Sequence, residues 1–421
     1  MKPGFPAPSP ELPAERSTKK SLKAFSALKN RNYRLLWIGG VLSHTGDDMQ
    51  LVAVSWLVML LTNSPFLMGV ANVFQGLPRL FFGIIGGVLA DRKDRHRLLM
   101  IYQTTEMFFA FLFSILVFTG KIQFWHVLVL LPIFGFLKSV YQVSRQAYLF
   151  DLVGKEELMN ALALHSTGMN LAKIIGPSIG GIIIGIWGVG WCLLLNGLSF
   201  IAILISFLMM KPPPASERKS LVPNIFQSLG ETYIYLKHHG TILLLITASF
   251  VNMAFGIQSQ VILPLFAEYV LKVGASGYGF LMAAMGAGAV VGGIIVASFG
   301  DMKAKGLLFL LSSLICAFLL ILFSYSPWFT VSLFLIFLVG MADLFSKTIN
   351  QTLVQLLSPD QLRGRILGVF MLDRGMKPLG GFVMGAGASL LGAPLALALG
   401  AGLCMAFILG LLFKAPQVRK L

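Results

Sequence analysis

His44, Asp47 and Asp48 fall within one long apolar run of the chain, and Arg79, Glu106, Asp343, Lys347, Asp373, Arg374 and Lys377 fall within four others. An ionisable group surrounded by hydrocarbon is costly, so each of these is a candidate for function. Carboxylates and histidines in such surroundings can take up and release a proton near neutral pH, and opposite charges can pair. His44 and Asp48 are four apart and share a helical face. At 1.5 Å per residue Asp47 and Asp48 lie about 20 Å from Arg34, and Arg79 lies about 18 Å from Asp91. Those matching depths predict an Asp–Arg contact between neighbouring antiparallel helices, either a proton carrier or a static ion pair. Asp343 and Lys347, like Asp373 and Lys377, are four apart, so each helix can neutralise itself. Glu106 lies about 12 Å from its helix end, where it lines a cavity or pairs with a neighbour. Lys173 mirrors Lys377, and Lys138 is expected to snorkel towards the membrane surface.

Other chemistries lack their residues. There is no G-x-x-x-x-G-K-S/T phosphate loop for ATP-driven pumping, and the six histidines form no H-E-x-x-H zinc site. No G-x-S-x-G nucleophile elbow is present. Cys192, Cys316 and Cys404 lie in separate apolar segments without metal or redox spacing. No catalytic residue, metal or cofactor is expected, and an enzyme is the least favoured class.

The elements that must hold these charges follow from composition. The chain is 56% hydrophobic and 12% charged, too few charges to cover a soluble surface of this size. Its apolar residues come in blocks of about twenty, the length that crosses a bilayer as helix. The blocks predict an all-α membrane protein with twelve transmembrane helices over 34–61, 66–90, 98–119, 124–147, 161–186, 191–210, 241–266, 277–298, 307–326, 328–349, 365–390 and 393–413. Residues 1–30 read as a disordered, proline-rich tail and not as a cleavable signal. The organisation is then a six-helix bundle at 31–210, a central loop at 211–240, a second bundle at 241–413 and a short tail at 414–421. With both termini cytoplasmic, cytoplasmic segments and the span ends that adjoin them hold 25 of the 33 Lys and Arg, and the opposite side holds only Lys121 and Lys272. The net charge of +16 is therefore a topology signal of a multi-pass inner-membrane protein. Its basic loops can meet lipid headgroups, and no nucleic-acid role is expected.

The halves repeat one another. With one gap, Gln146 aligns with Gln351, Leu158 with Leu362, Lys173 with Lys377 and Gly176 with Gly380, at about half the chain length. Two pseudo-symmetric six-helix bundles joined by a long loop form the parallel repeat of a rocking transporter. After the second helix comes GGVLADRKDRHRLL, in which Gly87, Asp91, Arg92 and Arg95 resemble the loop signature G-x-L-A-D-R-x-G-R of the major facilitator superfamily. Asp94 stands where that pattern has glycine. A carboxylate at Asp91 can sit at the N-terminus of helix 11, where the dipole favours it, and hold the cytoplasmic side closed. In helix 5, Ala172, Gly176, Pro177, Gly180 and Gly181 resemble the G-x-x-x-G-P-x-x-G-G pattern of antiporters in that superfamily. Small residues allow close helix packing there and proline opens a kink.

LSHTGDDMQLVAVSWLVMLLTNSP, LPRLFFGIIGGVLADR and LSPDQLRGRILGVF resemble the third drug–proton antiporter branch, with its macrolide-efflux and enterobactin-exporter-like proteins. The resemblance covers the chain from Asn30 onward. It implies proton-coupled efflux of a small amphipathic or hydrophobic compound, such as a drug or siderophore, by alternating access and as a monomer. Proton-coupled uptake of a metabolite is the alternative, and a non-transporting sensor is less favoured.

Overall fold

A computed structural model describes residues 25–92, 94–211, 235–256, 258–298, 304–359 and 362–421. Most of the expected tail at 1–30 and of the central loop at 211–240 lies outside the described residues.

The described chain is helical. In order, α1 is Arg31–Thr62, α2 Pro65–Arg92 and α3 Arg95–Phe118; α4 is Phe124–Gly154, α5 Glu157–Trp187 and α6 Val189–Met209. The second half has α7 over Gly240–Val270, α8 over Gly274–Ser298, α9 over Lys305–Ser324 and α10 over Phe329–Leu357. It ends with α11, in two segments at Arg363–Met371 and Asp373–Leu391, and α12 over Ala393–Lys414. Nine of these, among the described residues, are long and apolar enough to cross a membrane by length and composition.

Three boundaries differ from the sequence expectation. The loop expected at 148–160 is helix on both sides of a single break at Gly154, whose φ of 69° is open to glycine at no steric cost. α7 is interrupted after Phe255, and Gly256 caps the first segment. α11 is interrupted at Leu372, where the N–H of Leu372 reaches the Val369 carbonyl at 3.1 Å and the N–H of Gly375 reaches Leu372 at 2.9 Å, tightening the turn.

Glycine decides how the halves meet. A Cβ at Gly181 of α5 would lie 2.8 Å from Gly279 Cα of α8, and one at Gly385 of α11 would lie 3.0 Å from Gly69 Cα of α2. Only glycine lets these backbones come so close. Both contacts lie towards the ends of the helices remote from the chain termini. There a single apolar cluster draws on both halves, including Val58, Ile183, Phe266, Ala275 and Met384. Trp56 stacks on Tyr278 with ring centroids 6.2 Å apart, and the Tyr269 hydroxyl donates to Asn63 Oδ1. At the terminal end the apolar core divides. One cluster there (Tyr33, Leu99, Tyr148, Phe207) belongs to the first half and the other (Leu245, Phe309, Val354, Ile408) to the second. The described bundle is closed at the end away from its termini.

Two terminal turns grip the helices. The short 3-10 turn Ser26–Lys29 lies on the α4–α5 junction. Ala27 N–H donates to Asn160 Oδ1 at 3.0 Å and Asn30 Nδ2 donates to the Leu152 carbonyl at 2.9 Å. At the other terminus the turn Pro416–Arg419 packs Val418 against Gly306 at the start of α9.

Candidate functional site

Asp47 lies midway along α1, its side chain largely buried at 14% exposure. Lys138 of α4 donates from Nζ to Asp47 Oδ2 at 2.9 Å, and His44 Nδ1 lies 3.6 Å from the same oxygen. Lys138 thus pairs across helices and does not snorkel; the carboxylate one helix away outweighs the surface. His44 also differs from expectation. Positions i+3 and i+4 both share its face, and the side chain meets Asp47, not Asp48. Asp48 instead lies where α5 presses on α1: a Cβ at Gly176 would be 2.8 Å from Asp48 Cβ and 2.7 Å from the Thr45 carbonyl.

The network continues through two residues that the sequence reading missed. Arg145 of α4 is buried, with 8% exposure. Its Nη1 donates to His44 Nε2 at 3.2 Å; His165 of α5 turns its ring edge to the same guanidinium, Nδ1 at 3.1 Å from Nη1 and Nε2 against Nη2, and accepts through whichever of the two carries no proton. Its guanidinium carbon lies 5.8 Å from the Tyr141 ring centroid, within cation–π range. A guanidinium has only donors, so both imidazoles accept and are neutral in this arrangement. His44 then carries its proton on Nδ1, facing Asp47. The signal for Arg145 was available: it precedes Gln146, already aligned across the repeat, but ending helix 4 at residue 147 makes Arg145 read as the edge of a loop. His165 has no sequence signal beyond lying one helical turn past Ala161 in an apolar run.

Glu106 is buried on α3 at 4% exposure, behind α4, where Gln103 is also buried. Arg95 begins α3 and donates from Nη1 to Asp151 Oδ2 at 2.6 Å, tying α3 to α4 within the first half. Asp94, out of pattern for the loop signature, caps α3 by accepting from the N–H of His96 at 2.9 Å. In the second half Lys347 donates to Asp343 Oδ2 at 2.7 Å on the same helix, and the Ser313 and Ser346 hydroxyls bond at 2.6 Å beside them. Lys377 is half-buried on α11. Gly87 and the side chains of Arg79, Asp91, Arg92, Asp373 and Arg374 lie outside the described residues, so the expected Asp–Arg contact falls there too. The helix 5 motif packs on two sides: Gly176 and Gly180 against α1, Gly181 against α8, and the Pro177 carbonyl against Gly279.

A cleft of about 50 Å³ opens between α1, α4 and α5 beside this network, walled by Tyr33, Trp37, His44, Arg145, Gln146 and His165 with aliphatic neighbours. Among the described residues no group of His, Cys, Asp and Glu side chains could hold a metal ion.

Twelve helices among the described residues, in two repeated halves that touch through small residues and carry charge within their apolar spans, define a secondary transporter of the major facilitator class. The fold is shared with solved transporters. A bacterial homologue of the human lysosomal transporter Spinster, inward-facing and unoccupied, matches with a TM-score of 0.70 at 16% identity, over 92% of this chain and 96% of that one. The nucleoside transporter NupG matches with a TM-score of 0.71 at 12% identity, over 90% and 98%. Within that class the model of the transmembrane secretion effector family matches residues 22–421, and the chain belongs to that family. Curated relatives include the staphyloferrin A transporter of Staphylococcus aureus, 25% identical over 80% of this chain and 85% of that protein. The enterobactin exporter EntS of Shigella boydii is 27% identical over 80% of each. The chain is a multi-pass membrane transporter and not an enzyme.

Proposed function

We propose that this chain exports a small amphipathic compound of the siderophore type from the cytoplasm, driven by proton antiport. The names of its relatives support the cargo, and the antiporter-like packing of α5 supports the direction. The observation that carries proton coupling is the chain of contacts Lys138–Asp47–His44–Arg145–His165, which links three helices at mid-membrane. Protonating Asp47 would weaken its hold on Lys138 and His44 together. A proton bound there would therefore favour whichever state separates these groups, since a ligand shifts an equilibrium only through differential affinity.

In this reading the protein works as a monomer in the inner membrane with both termini inside, and its basic loops touch anionic lipid. The terminal end of the bundle is then the cytoplasmic end, and the described state is closed to the outside. The two six-helix halves at 31–210 and 241–413 rock about the α2–α11 and α5–α8 contacts. Asp91, Arg92 and Arg95 close the cytoplasmic side in the opposite state.

Accumulation of candidate siderophores in cells with and without the gene, repeated with an uncoupler, identifies the cargo. In proteoliposomes an imposed proton gradient should drive that cargo against the proton flux. Flux in the same direction as the protons would make the chain a symporter and reject export. Asp47→Asn should lose gradient-driven transport and keep cargo exchange at equilibrium, while Asp48→Asn tests the neighbouring carboxylate. Full gradient-driven transport by Asp47→Asn rejects the network as the coupling element.

A further inference from the structure

The α1–α4–α5 cleft has an unbalanced charge. Arg145 is a fixed cation on its wall. Asp47, the carboxylate within this network, is held by Lys138 at 2.9 Å. Gln146 is neutral, and the remaining polar wall groups are neutral and engaged: the Tyr33 hydroxyl donates to the Ala161 carbonyl at 2.8 Å, Trp37 Nε1 donates to the Leu164 carbonyl at 2.9 Å, and both histidines accept from Arg145. Three of Arg145's contacts are therefore to imidazole nitrogens, and among the described residues no carboxylate meets it. A guanidinium has five N–H donors in a fork that fits a carboxylate, so at least two remain open here. The repeat makes the charge a local addition: the position equivalent to Arg145 is Asn350, whose amide Nδ2 donates to the Leu245 carbonyl of α7 at 3.1 Å. A second cation, Lys173, is exposed further along α5, eight residues past His165 and within the apolar span.

We propose that this cleft binds the anionic group of the transported compound, with Arg145 as the residue that pairs with it. The inference rests on the transporter reading and gives its cargo a charge. The free space of about 50 Å³ accepts a group of a few heavy atoms, a carboxylate or similar oxyanion. The body of the compound stays outside, over the apolar lip formed by Trp37, Leu162 and Met169. Lys173 draws the anion towards the cleft.

The test is binding, which needs no flux and so separates this inference from the transport reading. The full chain in nanodiscs of zwitterionic phosphatidylcholine is dialysed to equilibrium against radiolabelled naphthalene-2-carboxylate or its neutral amide. The carboxylate should bind about tenfold more tightly, the worth of one charge-assisted pair. Arg145→Gln should abolish that preference and Arg145→Lys should keep most of it. Gln146→Glu, at an exposed position on the same wall, should abolish it by supplying a competing carboxylate, which keeps the test open if Arg145→Gln does not fold. Equal binding of the two probes by the unaltered chain, or an undiminished preference in Arg145→Gln or Gln146→Glu, overturns the proposal. Loss of the preference when phosphatidylglycerol is added assigns the cleft to a lipid headgroup and overturns it as a cargo site.

Discussion

Gln146 and Gln351 occupy equivalent places in the two halves, and the residues before them differ. In the first half Arg145 reaches from α4 to His44 of α1; in the second Asn350 reaches from α10 to Leu245 of α7. The repeat thus has a polar tie between equivalent helices on both sides, and an amide is enough to make it. The same contrast holds for the acids. Asp47 is neutralised by a lysine on another helix, whereas Asp343 is neutralised by Lys347 one turn along its own. Among the described residues the Asp343–Lys347 pair of the second half lies within one helix and is not separated when helices move past one another. The first half spreads its charges over α1, α4 and α5, so any relative movement of those helices changes the energy of the charges.

The largest test of that contrast exchanges single acids. Breaking a buried pair typically costs 3–5 kcal/mol, so Asp47→Asn should reduce gradient-driven flux by about a hundredfold or more. Asp343→Asn, on a more exposed i,i+4 pair, should change flux by less than about threefold. Comparable losses from both would erase the division between halves. Next, Asn350→Arg places in the second half a charge that has no histidines to accept from it. It should lower the thermal unfolding temperature in detergent by several degrees, because an unpaired buried cation is expensive.

The interface offers a finer test. Gly181→Ala meets the α8 backbone at 2.8 Å, while Gly402→Ala on α12 meets nothing within 4 Å. The first should push the outer ends of α5 and α8 apart, read as a longer spin-label distance across that end; the second should leave it unchanged. The smallest effect is expected for Arg95→Gln, which loses its bond to Asp151 within the first half. That costs about 1–2 kcal/mol of stability, measurable by thermal unfolding, with the affinity for cargo retained.

The fold was legible because lipid imposes a coarse rule: blocks of about twenty apolar residues must be helices, and basic residues mark one side. The candidate site was legible only in part. The acids on α1 could be picked out because charge in an apolar run is rare. Their partners could not, because which residue faces Asp47 depends on the rotation of α4 relative to α1, and that is set by packing over the whole helix. Lys138 was therefore read as a surface-seeking lysine. Arg145 was hidden by a boundary error of seven residues, since nothing in YLFDLVG ends a helix before the glycine. The break in α7 gave no warning beyond Gly256, a residue type abundant throughout the chain.

The turn at Ser26–Lys29 has a mechanical corollary. It is fastened to the α4–α5 junction, and α4 and α5 carry Lys138, Arg145 and His165. If those helices shift during a cycle, the start of the chain is a brake on them. Shortening the protein to begin at residue 31 would then speed each turnover while leaving the affinity for cargo untouched.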